Sequence, residues 1–251
     1  MQLPTRATYS CTALLGTNKT GTLKPDADGY YDLNLGALDV YNSGGAFYPL
    51  GPAKALFEDS SSLMRRIATG NCKGECGHPK ILPGQSMRDY LARIMRIEET
   101  NICCHFREVR LEQLQIDGRS MCVVRGKVKP SGPRGPALKE ALENPHENVC
   151  FSVRSLTNDA PVGGIMHKAI KQIVCWDWVT EPGINVATKY HAPSLESFEE
   201  DSVAFTASHF NAVREVEEAM GLGVESSDML QEISRSFGWD QRFTTRRSMD
   251  W

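Results

Sequence analysis

The sequence predicts an α+β fold, a β-rich domain with surrounding helices over residues 1–193 and a more polar, helical segment over 194–251. Three observations predict it. The runs "NICCHFREVRLEQLQI" and "SMCVVRGKVKP" are rich in β-formers and are joined by "DGR", whose Asp-Gly pair is a strong hairpin signal. "ENVCFSVRSL" alternates with period two, placing Val149, Phe151 and Val153 on one face and Cys150, Ser152 and Arg154 on the other. "SMRDYLARIMRI" instead repeats at helical spacing, with Met87, Tyr90, Leu91 and Ile94 on one stripe and Arg88 and Asp89 left for solvent.

Taken in order, the first 50 residues read as strands and turns, with "ATYSCTALLG" rich in β-formers and "PDADGYYD" and "YNSGGAFYP" marking tight turns. Two short helices follow at "AKALFED" and "SSLMRRIA", the second opened by serines that cap free amides. A strand carries "CKGECGHP", and the amphipathic helix and the hairpin come next. "SGPRGPALKEALENP" turns on glycine and proline and gives a short helix that Pro145 ends. After "ENVCFSVRSL" and the turn-like "TNDAPVGG", "AIKQIVCWDWVTEP" is the last strand, stopped by Pro182. From residue 194 the chain is acidic and turn-like through "SLESFEEDSVAF", then helical and polar. No internal repeat is evident.

Bulk properties narrow the function. Net charge is −3, with 28 basic and 31 acidic residues mixed along the chain, so no surface suited to nucleic acid is expected. The N-terminus lacks the pattern of a signal peptide and no apolar run is long enough to span a bilayer, which predicts a cytoplasmic protein with no membrane contact. The eight cysteines lie mostly in apolar segments, where reduced thiols rather than disulfides are expected.

Four groups of residues carry possible chemistry. Cys72, Cys76 and His78 offer three zinc ligands, with Cys103, Cys104 or His105 as a fourth. The spacing argues against a zinc site, because adjacent cysteines on a strand point to opposite faces and a second clean pair is missing. A cysteine nucleophile has too many thiol and histidine combinations to single out one pair. Ser152 lies mid-strand on the same face as Arg154; serine is also an ordinary strand residue. In "IVCWDWVTEP" alternation puts Trp176 and Trp178 on one face and Asp177 with Ile173, Cys175 and Val179 on the other. A carboxylate on an apolar face needs a partner, and arginine or histidine would serve equally.

The order and wording of these segments resemble the prohead maturation proteases of tailed bacteriophages, relatives of the herpesvirus assemblins. "GECGHP" is similar to the family segment that presents the catalytic histidine, here His78; "VCFSVRS" resembles the segment in which arginine follows the nucleophilic serine by two residues, here Ser152 and Arg154; and "IVCWDWVTEPGINVA" resembles the strand that places Asp177. "NICCHFREVRLE" and "VVRGKVKPSGPRGPALKEALENP" are similar to the strand, hairpin and short helix between them, so the likeness covers about residues 70–190.

The resemblance implies an assemblin-like small β-barrel of mixed strand direction wrapped by helices, and a serine endopeptidase without cofactor or metal. His78 is the general base for Ser152, Asp177 orients the imidazole, and Arg154 helps hold the oxyanion. His167 and Asp159 stand as alternatives for the third role. The implied substrates are scaffold, capsid and other internal prohead proteins, cut after glutamate inside the assembling prohead in the host cytoplasm, with self-association left open. The chain itself offers "SLE" and "SFE", so self-cleavage after Glu196 or Glu199 would remove residues 200–251. The competing reading is a zinc-stabilised binding or scaffold protein of the virion without catalysis, which metal content would distinguish.

Overall fold

The computed structural model describes residues 6–14, 23–42, 44–116, 118–144, 146–180, 202–220 and 232–239. The first half builds β1 (Arg6–Leu14), β2 (Tyr31–Leu38), β3 (Val40–Tyr41), β4 (Phe47–Tyr48), α1 (Leu50–Ala53), α2 (Ser62–Ala68), β5 (Lys73–Glu75) and α3 (Met87–Met95). Serine starts both longer helices, because its hydroxyl accepts an otherwise orphaned amide: Ser61 Oγ from Met64 N at 3.1 Å, and Ser86 Oγ from Asp89 N at 3.1 Å. The predicted stripe of α3 is the buried one, with Tyr90, Leu91, Ile94 and Met95 inside and Arg88 paired with Asp89 in solvent.

The second half builds β6 (Ile102–Ile116), β7 (Arg119–Pro130), α4 (Gly135–Glu143), β8 (Cys150–Val162), β9 (Ile165–Val179), β10 (Ser202–Thr206) and α5 (Ala207–Met220). The β6–β7 hairpin closes where expected, with Ile116 opposite Arg119 and Gly118 at φ +75°. A second long hairpin joins β8 to β9, closing at Val162 opposite Ile165 around Gly163 and Gly164, both at positive φ, which only glycine adopts freely. The strands therefore run through the segment that reads as a turn in the sequence, and Asp159 pairs with Lys168 within the ladder.

One sheet has the order β10-β1-β8-β9-β4-β3, the other β2-β7-β6-β5. The ladders are antiparallel except β4 against β9, which is parallel at Phe47 and His167. A parallel bridge between Cys76 and Trp178 joins the two sheets beyond the end of β5. Gly74 permits this approach: a Cβ there would lie 2.1 Å from the Trp176 carbonyl oxygen. The result is the expected α+β architecture, a small barrel-like pair of sheets of mixed strand direction with helices around it. Phe106 of one sheet meets Phe151 and Trp176 of the other at ring-centroid distances of 6.1 and 5.7 Å within the larger core cluster.

Simple alternation fails twice on β9, at Lys171 and, nearer Asp177, at Val174. The ladder runs Arg154–Cys175 and then Ser155–Ile173, so Val174 is an extra residue. Ile173 consequently packs with Trp176 in the larger cluster, not beside Asp177, while Val174 and Cys175 both join a second cluster under α3. Arg66 of α2 covers the bulge, donating to the carbonyls of Val174 at 2.7 Å and Ile173 at 2.9 Å.

The segment expected to be turn-like and helical contains a strand. β10 extends the sheet by pairing with β1, from Ser10–Ser202 to Arg6–Thr206. Phe205, Phe210, Val213, Ile233, Phe237 and Trp239 are buried together with Tyr90, Leu91, Ile94 and Met95 of α3, so this part of the chain completes a core cluster. The expected boundary at 193/194, Glu196 and Glu199 all lie outside the described residues.

Candidate active site

Ser152 and Asp177 are direct partners across the β8–β9 ladder. Side chains of directly opposed residues leave the same face of a sheet, with Cβ atoms roughly 5 Å apart. Arg154, two residues along β8, shares that face and reaches Asp177 diagonally. His78 arrives from the other sheet, because the Cys76–Trp178 bridge and the 2.7 Å hydrogen bond from Gly77 N to Trp178 O fix the chain beside β9. Gly77 makes this turn at φ +78°. Tyr90 of α3 donates to the Pro79 carbonyl at 3.2 Å, holding the far side of the same turn.

Asp177 is the hub. Its Oδ2 lies 2.8 Å from His78 Nδ1 and accepts from Arg154 Nε at 2.8 Å. Its Oδ1 accepts from Arg154 Nη2 at 2.8 Å, from the Glu75 amide at 3.0 Å and from Cys175 Sγ at 3.3 Å. Burial alone would raise the carboxyl's pKa, but the Arg154 charge and the His78 hydrogen bond overcome it and hold Asp177 far below the usual carboxylate range. An ionised carboxylate only accepts, so Nδ1 carries the proton in this pair and Nε2 of neutral His78 is the acceptor. That is the tautomer a general base needs.

Ser152 is 2% exposed, and its Oγ makes no hydrogen bond among the described residues. Buried hydroxyls are normally bonded, so this one is an exception of the kind found at reactive groups.

Arg154 is fully buried, and its donors are taken up. Nε and Nη2 clasp Asp177, Nη1 donates to Glu75 Oε1 at 3.2 Å, and Nη1 also reaches the carbonyls of Ile94 at 3.3 Å and Arg96 at 3.2 Å. These last two are the open carbonyls at the C-terminus of α3, where a cation is favoured. The expected oxyanion role for Arg154 requires one of these donors to turn away.

Glu75 is the member of this cluster that the sequence reading did not single out. It is fully buried and takes two hydrogen bonds from the Arg93 guanidinium, one from the Glu98 amide at 2.8 Å and one from Asn101 Nδ2 at 3.2 Å. Burial pushes its carboxyl up, but the Arg93 hydrogen bonds and the Arg154 charge hold it below its ordinary value. The available signal was an acid in a short strand between a glycine and a buried segment, which calls for a cation that sequence spacing does not identify.

The remaining candidates lie elsewhere. His167 is ten residues from Asp177 along β9, roughly 30 Å away, and its ring meets Phe47 at 4.9 Å. Asp159 is seven residues from Ser152 along β8, roughly 23 Å, and accepts from Thr157 Oγ1 at 2.7 Å. His105 lies 3.0 Å from both the Tyr30 hydroxyl and the Gly70 carbonyl. Cys72 is wholly buried, which pushes its thiol up to about 11. Among the described residues no group of three or more His, Cys, Asp or Glu converges closely enough to hold a metal ion, and no helix is long and apolar enough to cross a membrane.

The chain is 38% identical over 235 residues to the capsid maturation protease of Pseudomonas phage phiKZ, covering 90% of this chain and 86% of that one. Its fold is similar to the structure of the bacteriophage T4 capsid assembly protease, with a TM-score of 0.50 at 12% identity over 70% of this chain and 99% of that one. Residues 9–235 match the model of the Peptidase S80 family, and the chain belongs to that family of serine peptidases.

Proposed function

We propose that the chain is a capsid maturation protease that uses Ser152 as nucleophile, His78 as general base and Asp177 as the group that orients His78. The observation that carries this reading is the 2.8 Å contact from His78 Nδ1 to Asp177 Oδ2 on a strand that sets Asp177 directly opposite Ser152. In the reaction, His78 Nε2 takes the Ser152 proton as Oγ attacks the scissile carbonyl, and returns it to the leaving amine; Asp177 stabilises the imidazolium between those steps. Because Arg154 is committed to Asp177 and Glu75, we assign it to positioning Asp177, and the oxyanion to backbone amides of the site.

The substrates in this reading are capsid, scaffold and other internal proteins cut after glutamate inside the prohead. The phiKZ relative's name supports the capsid part; the preference for glutamate rests on the resemblance in sequence. The chain itself is a further substrate, cut after Glu196 or Glu199, with 1–193 as the protease domain. That cut would leave β10 and α5, which complete the cluster under α3, held by the β1–β10 ladder and by packing.

A mass-spectrometric time course of the purified protein beside Ser152→Ala tests the reading. The expected result is release of the segment after Glu196 or Glu199 in the wild type alone, with the variant slower by roughly 10⁴-fold or more. Equal cleavage of both proteins would remove Ser152 from the mechanism. If both stay intact when capsid and scaffold proteins are supplied, the proposal as a whole fails.

A further inference from the structure

Two carboxylates and two guanidinium groups form a continuous row beneath α3. Arg93 holds Glu75, Glu75 holds Arg154, Arg154 clasps Asp177, and Asp177 meets His78. Glu75 enters this row twice, since its side chain faces Arg154 and its backbone amide donates to Asp177 Oδ1 at 3.0 Å. It is also three residues ahead of His78 on the segment that delivers the imidazole.

We propose that Glu75 is a positioning residue of the reaction, which fixes Arg154 against Asp177 and so sets the electrostatic field that His78 experiences, with Arg93 tying that arrangement to α3. This rests on the reading of His78 and Asp177 as the base and its orienting partner.

The charges make the argument testable by sign. With His78 neutral, Glu75 and Asp177 balance Arg93 and Arg154. Neutralising Glu75 leaves the row with an excess positive charge and opposes protonation of His78; neutralising Arg93 leaves an excess negative charge and favours it. A role in packing alone would not produce opposite shifts. The other groups facing the row are the Cys175 thiol of β9, the Cys76 and Cys104 thiols and Glu98 beyond α3, with Arg134 before α4 facing Cys76. Burial raises the three thiols above their ordinary values, so they stay neutral while histidine titrates. Glu98 and Arg134 are unchanged in both variants. Arg93 is 25% exposed at its side chain, so solvent screens its effect more than that of Glu75.

The experiment is an NMR titration of histidine-labelled full-length protein carrying Ser152→Ala, with the His78 resonance assigned by its loss in His78→Gln. Glu75→Gln should lower the His78 midpoint by roughly 0.5–1 pH unit, and Arg93→Gln should raise it by a smaller amount. Glu75→Asp, which keeps the charge, should return the midpoint toward that of the parent. Unmoved midpoints, or shifts of the same sign in the Gln variants, would overturn the proposal. If Glu75→Gln does not fold, the direction of the Arg93→Gln shift decides alone. The readout does not depend on turnover. Residual self-cleavage in the Ser152→Ala parent would therefore count against the nucleophile and leave the test of Glu75 intact.

Discussion

The cluster under α3 and the outer face of the β2-β7-β6 sheet are built from the same residue types, yet they do different work. On the sheet face Arg110 contacts Asp32, Glu108 and Glu112, and Arg125 contacts Asp32, all with partly exposed side chains. Beneath α3, Glu75, Arg154 and Asp177 have no exposed side-chain surface at all. On the face, water and alternative partners replace a lost contact. Under α3 nothing replaces it, so each ion depends on the geometry of the next. This comparison explains why a row of ion pairs transmits an effect to His78, while a ladder of them on the sheet face only keeps that face soluble.

The contrast breaks most visibly at Arg154. Arg154→Leu takes the only guanidinium from the buried Asp177 and one of two from Glu75, and should cost about 3–5 kcal/mol of stability, read as a fall in the urea midpoint at unchanged m-value. A loss below about 1 kcal/mol would show that the cluster behaves like the surface. Next in size is Gly74→Ala, whose new methyl would meet the Trp176 carbonyl at 2.1 Å and push β5 away from β9. A destabilisation of about 2–3 kcal/mol is expected, together with loss of the His78–Asp177 contact, seen as a change in the His78 resonance.

Acid sharpens the same point. Asp177 and Glu75 both have lowered values in the folded state, so the unfolded chain binds more protons in acid and stability falls as pH falls. Their contribution is complete above about pH 4–5, where carboxylates of the unfolded chain are ionised, and is lost as pH drops toward the folded-state values. Thermal melts from pH 6 down to pH 3 should show a decline that is shallower in Asp177→Asn. The smallest effect is expected at Arg110→Ala, less than about 1 kcal/mol and reduced further by salt, because its partners stay solvated.

Much of this arrangement was legible before the fold was known. Alternation placed Ser152 and Arg154 on one face, the Asp-Gly pair gave the β6–β7 hairpin, and helical spacing gave the buried side of α3. Asp177 needed either an arginine or a histidine by the cost of burying its charge, and it has both. The misplaced residues have specific causes. Ile173 lies on the face opposite to the one alternation predicts, because the bulge at Val174 resets the period. The composition of "NDAP" predicts a turn at Asp159, although the Gly163–Gly164 pair makes the turn further on. β10 was missed since a short strand at a sheet edge is defined by its partner β1, which lies nearly 200 residues earlier in the chain.

The sequence by itself determined the strands that present Ser152, Arg154 and Asp177, since strand periodicity is a property of neighbouring residues; His78, expected on a strand, follows the Gly77 turn beyond β5. Only the tertiary structure decided how those groups combine: that Ser152 stands opposite Asp177, that His78 crosses from the other sheet where Gly74 allows close contact, and that Arg154 is held between Asp177 and Glu75. Those pairings join residues from about 20 to 100 positions apart, and their strength comes from excluding water. Burial of that kind is a property of the assembled fold and cannot be assigned to any one segment.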